Sequence, residues 1–201
     1  MKTILFVFGT RPEAIKMAPI LSSISKGKQS FISKVCVTAQ HREMLDQILS
    51  LFEIKPDFDL NIMKEKQDLT GLSANLLTGI KEIFESLSPD AIIVQGDTTT
   101  ALTAAQAAFL SGIPIGHVEA GLRTYDLEAP FPEEFNRQVI SKIASWHFAP
   151  TLNSKSNLLS EGIRENQIHI TGNTVIDALL DIKTKINQNE NLKNKLLRGL
   201  E

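Results

Sequence analysis

A chain of 201 residues with 42% apolar and 22% charged residues is an ordinary globular sequence, long enough for one large domain or two small ones. Its net charge of −2 supplies no basic field for nucleic acid, and its one cysteine, Cys36, excludes an internal disulfide framework and a cysteine-based zinc site. The apolar run after Met1-Lys2, TILFVFG, is too short to span a membrane and has no small-residue cleavage site behind it, so a cytoplasmic protein is expected.

In chain order, β-rich runs predict strands at Thr3–Phe8, Lys34–Ala39, Ala91–Gln95, Ile115–Val118, Trp146–Ala149 and Ile168–Thr171, with a further short one at Asp57–Leu60. Helical patterns fall between them, at 13–26, 42–52, 69–87, 98–111, 133–145, 152–161 and 174–186. Cys36 sits within a predicted strand as a packed thiol. Apolar strands alternating with helices imply crossover units and a parallel sheet covered on both faces. Residues 1–182 read as one such domain; 183–201, rich in Lys and Asn, read as a terminal helix or a linker.

Ligands of open α/β sheets bind beyond the carboxyl ends of the strands. The residues there are Gly9-Thr10-Arg11, Gln40-His41-Arg42, Gly96-Asp97, Glu119-Ala120-Gly121 and Gly172-Asn173, polar and mostly glycine-containing.

Several of these residues have an architectural use. Thr10-x-x-Glu13 fits a capping box with Pro12 in the first turn. Arg11 is not needed for that and lies at a helix N-terminus, where an anion is favoured; an anion-binding and a solvated Arg11 both fit. Lys16 follows one turn on, and neither the dinucleotide fingerprint nor the Walker loop is present. Asp97 reads locally as the N-cap of the helix that follows it, whose alanines suit close packing on the sheet. Glu119, behind a buried strand, is open to two readings: an ion pair with Arg123, or an acid or base tuned by its surroundings. His117 fits the core or the crevice. Glu133 and Glu134 share a first helical turn, where the dipole favours acids, followed by Asn136 and Arg137. The long 119–132 connection marks a functional loop. One His at residue 41 has no partner at metal-ligand spacing, and Thr174-x-x-Asp177 is again like a capping box.

Taken together, GTRPEAIKMAP, VTAQHREMLDQ, DLNIM, QGDTTT, GHVEAGLRT, PFPEEFNR and TGNTVIDALL resemble the motifs of the non-hydrolysing UDP-N-acetylglucosamine 2-epimerases, in that family's order and spacing over nearly the whole chain. The resemblance implies a Rossmann-like, doubly wound parallel sheet, the N-terminal domain of a GT-B fold. It implies interconversion of UDP-GlcNAc and UDP-ManNAc through UDP elimination to 2-acetamidoglucal and re-addition, with no metal and no cofactor. Carried over by position, the catalytic carboxylates match Asp97, Glu119 and Glu133, and the basic residues of the first loop match Arg11 and Lys16. His117, Arg123 and Arg137 join them as expected substrate contacts, and Gln40 and Glu43 match positions near the site of a second UDP-GlcNAc that activates bacterial members. Implied partners are UDP-GlcNAc, a second domain and, in the full-length family, a homodimeric copy; neither nucleic acid nor membrane is implied.

The family's chains are nearly twice as long, and this one ends at about the inter-domain linker. The second domain, with most uridine and diphosphate contacts and a catalytic histidine, is expected to be absent, and the chain alone to be inactive or nearly so. Alternatives that share the architecture are a hydrolysing epimerase, a GT-B glycosyltransferase domain, and a non-catalytic half-domain that pairs with a separate second half.

Overall fold

The structure, a computed structural model, describes residues 1–27, 31–38, 42–62 and 68–188. Its strands are β1 (Lys2–Phe8), β2 (Phe31–Val37), β3 (Phe58–Asp59), β4 (Ala91–Gln95), β5 (Ile115–Val118), β6 (Trp146–Ala149) and β7 (Ile168–Ile170). The helices are α1 (Arg11–Lys26), α2 (Arg42–Leu51), α3 (Leu69–Leu87), α4 (Thr99–Leu110), α5 (Glu133–Ile143), α6 (Leu152–Ser160) and α7 (Val175–Gln188), with a 3-10 turn at Glu165–Gln167.

All seven strands are parallel, in the order β3-β2-β1-β4-β5-β6-β7. The chain winds outward from β1 to β3, then restarts at β4 on the other side of β1. The switch point, where a crevice opens between diverging crossovers, therefore lies between β1 and β4.

Strand alternation divides the core. Phe6 and Phe8 of β1 face α1 and α2, packing with Ala14, Met17, Leu21, Leu45 and Leu49. Leu5 and Val7 face the opposite way, onto Leu76, Ile80, Ala104 and Ala108 of α3 and α4. The alanines of α4 are buried as expected, and α3, α4 and α5 pack side by side. The Cys36 thiol is buried, and burial pushes its pKa up to about 12, so it is an inert core group.

The predicted strands and helices are all present, with shifted ends. β2 starts earlier than expected, at Phe31, because Phe31 and Ile32 pair in register with Lys2 and Thr3 although both are exposed. α7 runs unbroken through residue 182, the expected domain end; 189–201 lie outside the described residues. Among the described residues no helix is long and apolar enough to cross a membrane.

Candidate active site at the strand exits

The exits of β1, β4 and β5 meet at the switch point. Gly9 ends β1 where only a glycine fits: a Cβ there would lie 2.0 Å from Thr38 Oγ1. The expected capping box forms at the head of α1. Glu13 Oε2 accepts from the backbone N–H groups of Gly9 and Thr10 at 3.0 and 2.7 Å and from the Thr10 hydroxyl at 2.7 Å. Its other oxygen accepts from the Thr98 hydroxyl at 2.7 Å, so the β1 and β4 exits are tied through one buried carboxylate. Burial pushes its pKa up against those four donors.

Thr98, not Asp97, is the N-cap of α4, accepting from Ala101 N–H at 3.0 Å. The local reading of Asp97 as a cap is corrected. A threonine one residue on takes the backbone job and leaves the Asp97 carboxylate facing the crevice. Asp97 is held from α5. Asn136 donates its side-chain amide to the Asp97 carbonyl at 2.7 Å, and Arg137 Nη1 lies 3.7 Å from the carboxylate. Burial raises the Asp97 pKa, Arg137 and Lys16 oppose the rise, and the charges of Glu133 and Glu119 add to it. Two carboxylates and two cations, from α1, α5 and the β5 exit, therefore bear on Asp97.

Glu119 carries the least ordinary backbone here. Its φ is +65°, a left-handed conformation that costs a side-chain-bearing residue about 1–2 kcal/mol. Neighbouring ladder bonds impose it: Gly96 N–H donates to the Val118 carbonyl on one side, and Ala120 N–H to the Phe148 carbonyl on the other. The sharp turn swings the Glu119 side chain out of the strand line and back over the sheet end. There Oε2 accepts from Lys16 Nζ at 2.5 Å and from Gln95 Nε2 at 2.6 Å, and Oε1 accepts from Asn173 Nδ2 at 2.9 Å. The pairing with Arg123 does not form, because Arg123 points the opposite way. Its wholly buried guanidinium forks onto Glu161 at 2.6 and 2.9 Å and donates to Ser141 Oγ at 2.8 Å.

The remaining expected residues divide in the same way. Lys16 is in the cluster. Arg11 is exposed at the start of α1 and makes no hydrogen bond or ion pair with described residues, which leaves its guanidinium for solvent or an anion. Glu133 is half-buried in the first turn of α5. Its neighbour Glu134 is the architectural one. It is fully buried and accepts the N–H groups of Thr124 and Tyr125, both at 3.0 Å, and the Gln138 amide at 2.7 Å. Arg137 Nε sits 2.7 Å from it as an ion-pair contact. Burial alone would raise the Glu134 pKa, but these donors and Arg137 bring it down to about 2.

His117 is wholly buried and does not line the crevice, because its pleat position turns it under the β4 exit. Its Nε2–H donates to the Gly96 carbonyl at 2.7 Å, which braces the Gly96-Asp97 turn from below. Arg123 likewise fixes the exit loop to α6 rather than reaching the crevice. Glu43 is exposed on α2, and Gln40 lies outside the described residues. Sequence reasoning overlooked Gln95 and Asn173 as carboxylate donors. Their signal was their place at the ends of β4 and β7. The capping box expected at Thr174 is not formed: the Thr174 hydroxyl donates to the Lys16 carbonyl at 2.6 Å, and Asn173 Oδ1 accepts the Val175 N–H.

A wholly parallel, doubly wound sheet with charged groups gathered at its switch point defines a Rossmann-like α/β domain. A family model for UDP-N-acetylglucosamine 2-epimerase matches residues 24–199. The chain is 57% identical over 88% of its length to a UDP-N-acetylglucosamine 2-epimerase of Neisseria meningitidis, and 55% identical over 96% of its length to one of Yersinia pestis. It superposes with a TM-score of 0.92, at 52% identity and 98% coverage, on the crystal structure of the Neisseria meningitidis UDP-GlcNAc 2-epimerase bound to UDP-GlcNAc. A Methanocaldococcus jannaschii UDP-GlcNAc 2-epimerase in complex with UDP-GlcNAc and UDP matches with a TM-score of 0.88 at 36% identity over 96% of the chain. The chain belongs to the UDP-N-acetylglucosamine 2-epimerase family. It spans about half the length of these relatives: 47% and 51% of the two curated proteins, 53% and 52% of the two structures.

Proposed function

We propose that the chain is the first domain of an enzyme that interconverts UDP-GlcNAc and UDP-ManNAc, and that its strand exits form one wall of the active-site cleft. The observation that carries this reading is the paired placement of Asp97 and Glu119 on adjacent exits, each beside a cation, with the Glu119 charge bearing on Asp97.

The chemistry accounts for that arrangement. The C2 hydrogen of the sugar has no neighbouring carbonyl to stabilise a carbanion, so departure of UDP leads or accompanies its removal. The C1–O bond breaks with its electron pair leaving on the diphosphate, and the C2 proton passes to a protein carboxylate. The resulting 2-acetamidoglucal is reprotonated at C2 on its other face as UDP adds back at C1. Proton traffic on two faces calls for more than one carboxyl group with different proton affinities. Asp97, whose pKa is raised by burial, suits proton donation, and Glu119 and Glu133 supply two further carboxyl groups at the same crevice. Arg11 and Lys16, at the N-terminal turns of α1, stabilise the departing diphosphate together with the helix dipole. His117, Arg123 and Arg137 support these groups from behind.

A second domain closes the cleft and excludes water, which strengthens each of these electrostatic terms. Without it the chain alone is inactive or nearly so. We further place the enzyme in the cytoplasm, in the supply of nucleotide sugars for surface polysaccharide, as a homodimer at full length. A second UDP-GlcNAc acts as activator near Glu43.

Deuterium incorporation at C2 of UDP-GlcNAc in deuterated water tests both parts. The chain joined to the second half of a full-length relative is expected to incorporate deuterium and produce UDP-ManNAc. No incorporation by the joined protein refutes the epimerase reading; incorporation at enzymatic rates by the chain alone refutes its inactivity.

A further inference from the structure

Asn173 sits between two systems that the sequence keeps far apart. Its Oδ1 accepts the Val175 N–H at 3.0 Å, the first backbone donor of α7. An amide oxygen must face that donor, so the orientation of the side chain is fixed and its Nδ2 is turned outward. That nitrogen donates to Glu119 Oε1 at 2.9 Å. The next residue, Thr174, donates its hydroxyl to the Lys16 carbonyl at 2.6 Å, and Lys16 is the cation on the other oxygen of Glu119. Two consecutive residues at the head of α7 thus hold the carboxylate and its counter-ion. Gly172, at φ +74°, gives the turn that delivers them.

α7 packs on α1, and Lys185 near its far end reaches the Leu51 carbonyl and the Glu53 carboxylate. Ala178 is its one buried residue, while Ile176, Leu179 and Leu180 are exposed. A helix with so little buried area moves at low cost. The Glu119 carboxylate has no other donor on Oε1 among the described residues. Any shift of the helix is therefore delivered to one oxygen of Glu119, with Gln95 and Lys16 left on the other.

We propose that Asn173 is a positioning residue that ties the orientation of the Glu119 carboxylate to the seat of α7. The functional weight of this link rests on the reading of Glu119 as part of the reaction site. A plain helix cap would need only the bond to Val175. The second bond, to a carboxylate on a different strand exit, has no use in capping.

The test needs no turnover. The chain is labelled with 13C at glutamate Cδ and 15N at asparagine side chains, and Glu119 and Asn173 are followed by NMR. Glu119→Gln is expected to move the Asn173 side-chain amide signals. Asn173→Ala and Thr174→Val are each expected to move the Glu119 Cδ resonance by more than its line width, the second although Thr174 does not touch Glu119. Thr174→Val keeps the question answerable if Asn173→Ala releases α7. A Glu119 resonance unmoved in a folded variant, or Asn173 signals indifferent to Glu119→Gln, overturns the link. If the link holds and the joined protein incorporates no deuterium, the epimerase reading fails and the positioning role stands.

Discussion

Lys16 and Glu119 meet at 2.5 Å across the switch point of the sheet, one from the second turn of α1 and the other from the exit of β5. The pair is part-buried, with 23% of the lysine and 12% of the glutamate side chain exposed. Solvent therefore screens it less than a surface pair, and Glu119 keeps its Gln95 and Asn173 donors if the lysine is lost. Lys16→Met is expected to destabilise the chain by about 1–2 kcal/mol in urea unfolding, the loss of one charge-assisted hydrogen bond. Combined with Glu119→Gln it should cost less than the sum of the single changes. Strict additivity would show that the two side chains do not interact in solution.

Glu134 should make stability depend on acid. Its folded pKa lies near 2, below the unfolded carboxylate value of 4.5. A depressed carboxylate contributes stability that is fully present above the unfolded value and is lost as pH falls towards the folded one. Glu134→Gln turns an amide N–H₂ against backbone donors at Thr124 or Tyr125. It should cost about 1–3 kcal/mol at neutral pH, the price of a buried donor left unpaired. The gap between the two proteins should close between pH 4.5 and 2. A gap that is constant with pH would show that the carboxylate charge plays no part.

Asp97 should behave in the opposite sense. Its folded pKa is raised, so the folded chain holds its proton more tightly than the unfolded one, and stability declines as pH rises from the ordinary value of 3.8 through the folded value. Asp97→Asn removes that decline. The variant should match the parent at low pH and be slightly more stable at neutral pH, read from urea midpoints across the range. A less stable variant at neutral pH would show that Arg137 gains more from the Asp97 charge than burial takes away.

Gly121 anchors the exit loop against α6. Its φ is +90°, and a Cβ would lie 2.3 Å from the Ser154 carbonyl oxygen, a backbone atom that cannot rotate away. Gly121→Ala should cost more than about 2 kcal/mol and loosen the 119–132 connection, seen as faster amide exchange at Thr124 and Tyr125. Unchanged exchange at those amides would separate the loop from the glycine.

Most of the sheet was legible because parallel strands buried on both faces show as short apolar runs, as β1, β4 and β5 do. β2 was read short because its first residues, Phe31 to Ser33, owe their conformation to pairing with β1 and not to burial. The clustering of the candidate residues was legible by position. Asp97, Glu119, Lys16 and Arg137 lie where the exits converge, and Glu133 lies close enough to bear on Asp97. The partners of these residues were not legible. Arg123 stands four residues from Glu119 and pairs with Glu161, 38 residues away, because the left-handed turn at Glu119 sends the two side chains in different directions. Asp97 yielded the cap to Thr98 through a one-residue offset that local capping preferences do not resolve. Asn173 meets Glu119 across 54 residues, a contact created only when β7 is laid beside β6.

The two histidines under the sheet exits have a consequence of their own. His117 and His147 stand side by side in register on β5 and β6, both wholly buried, and each gives its Nε2–H to a backbone carbonyl, of Gly96 and of Ser141. A carbonyl only accepts, so Nε2 carries the proton on each ring, and the buried His117 Nδ1 has no hydrogen-bond partner among the described residues. Burial holds both pKa values down, that of His117 to about 3. The His117 imidazole is thus neutral across the range in which histidine usually titrates. It acts as a neutral strut beneath the Gly96-Asp97 turn, held by shape and by one hydrogen bond rather than by charge.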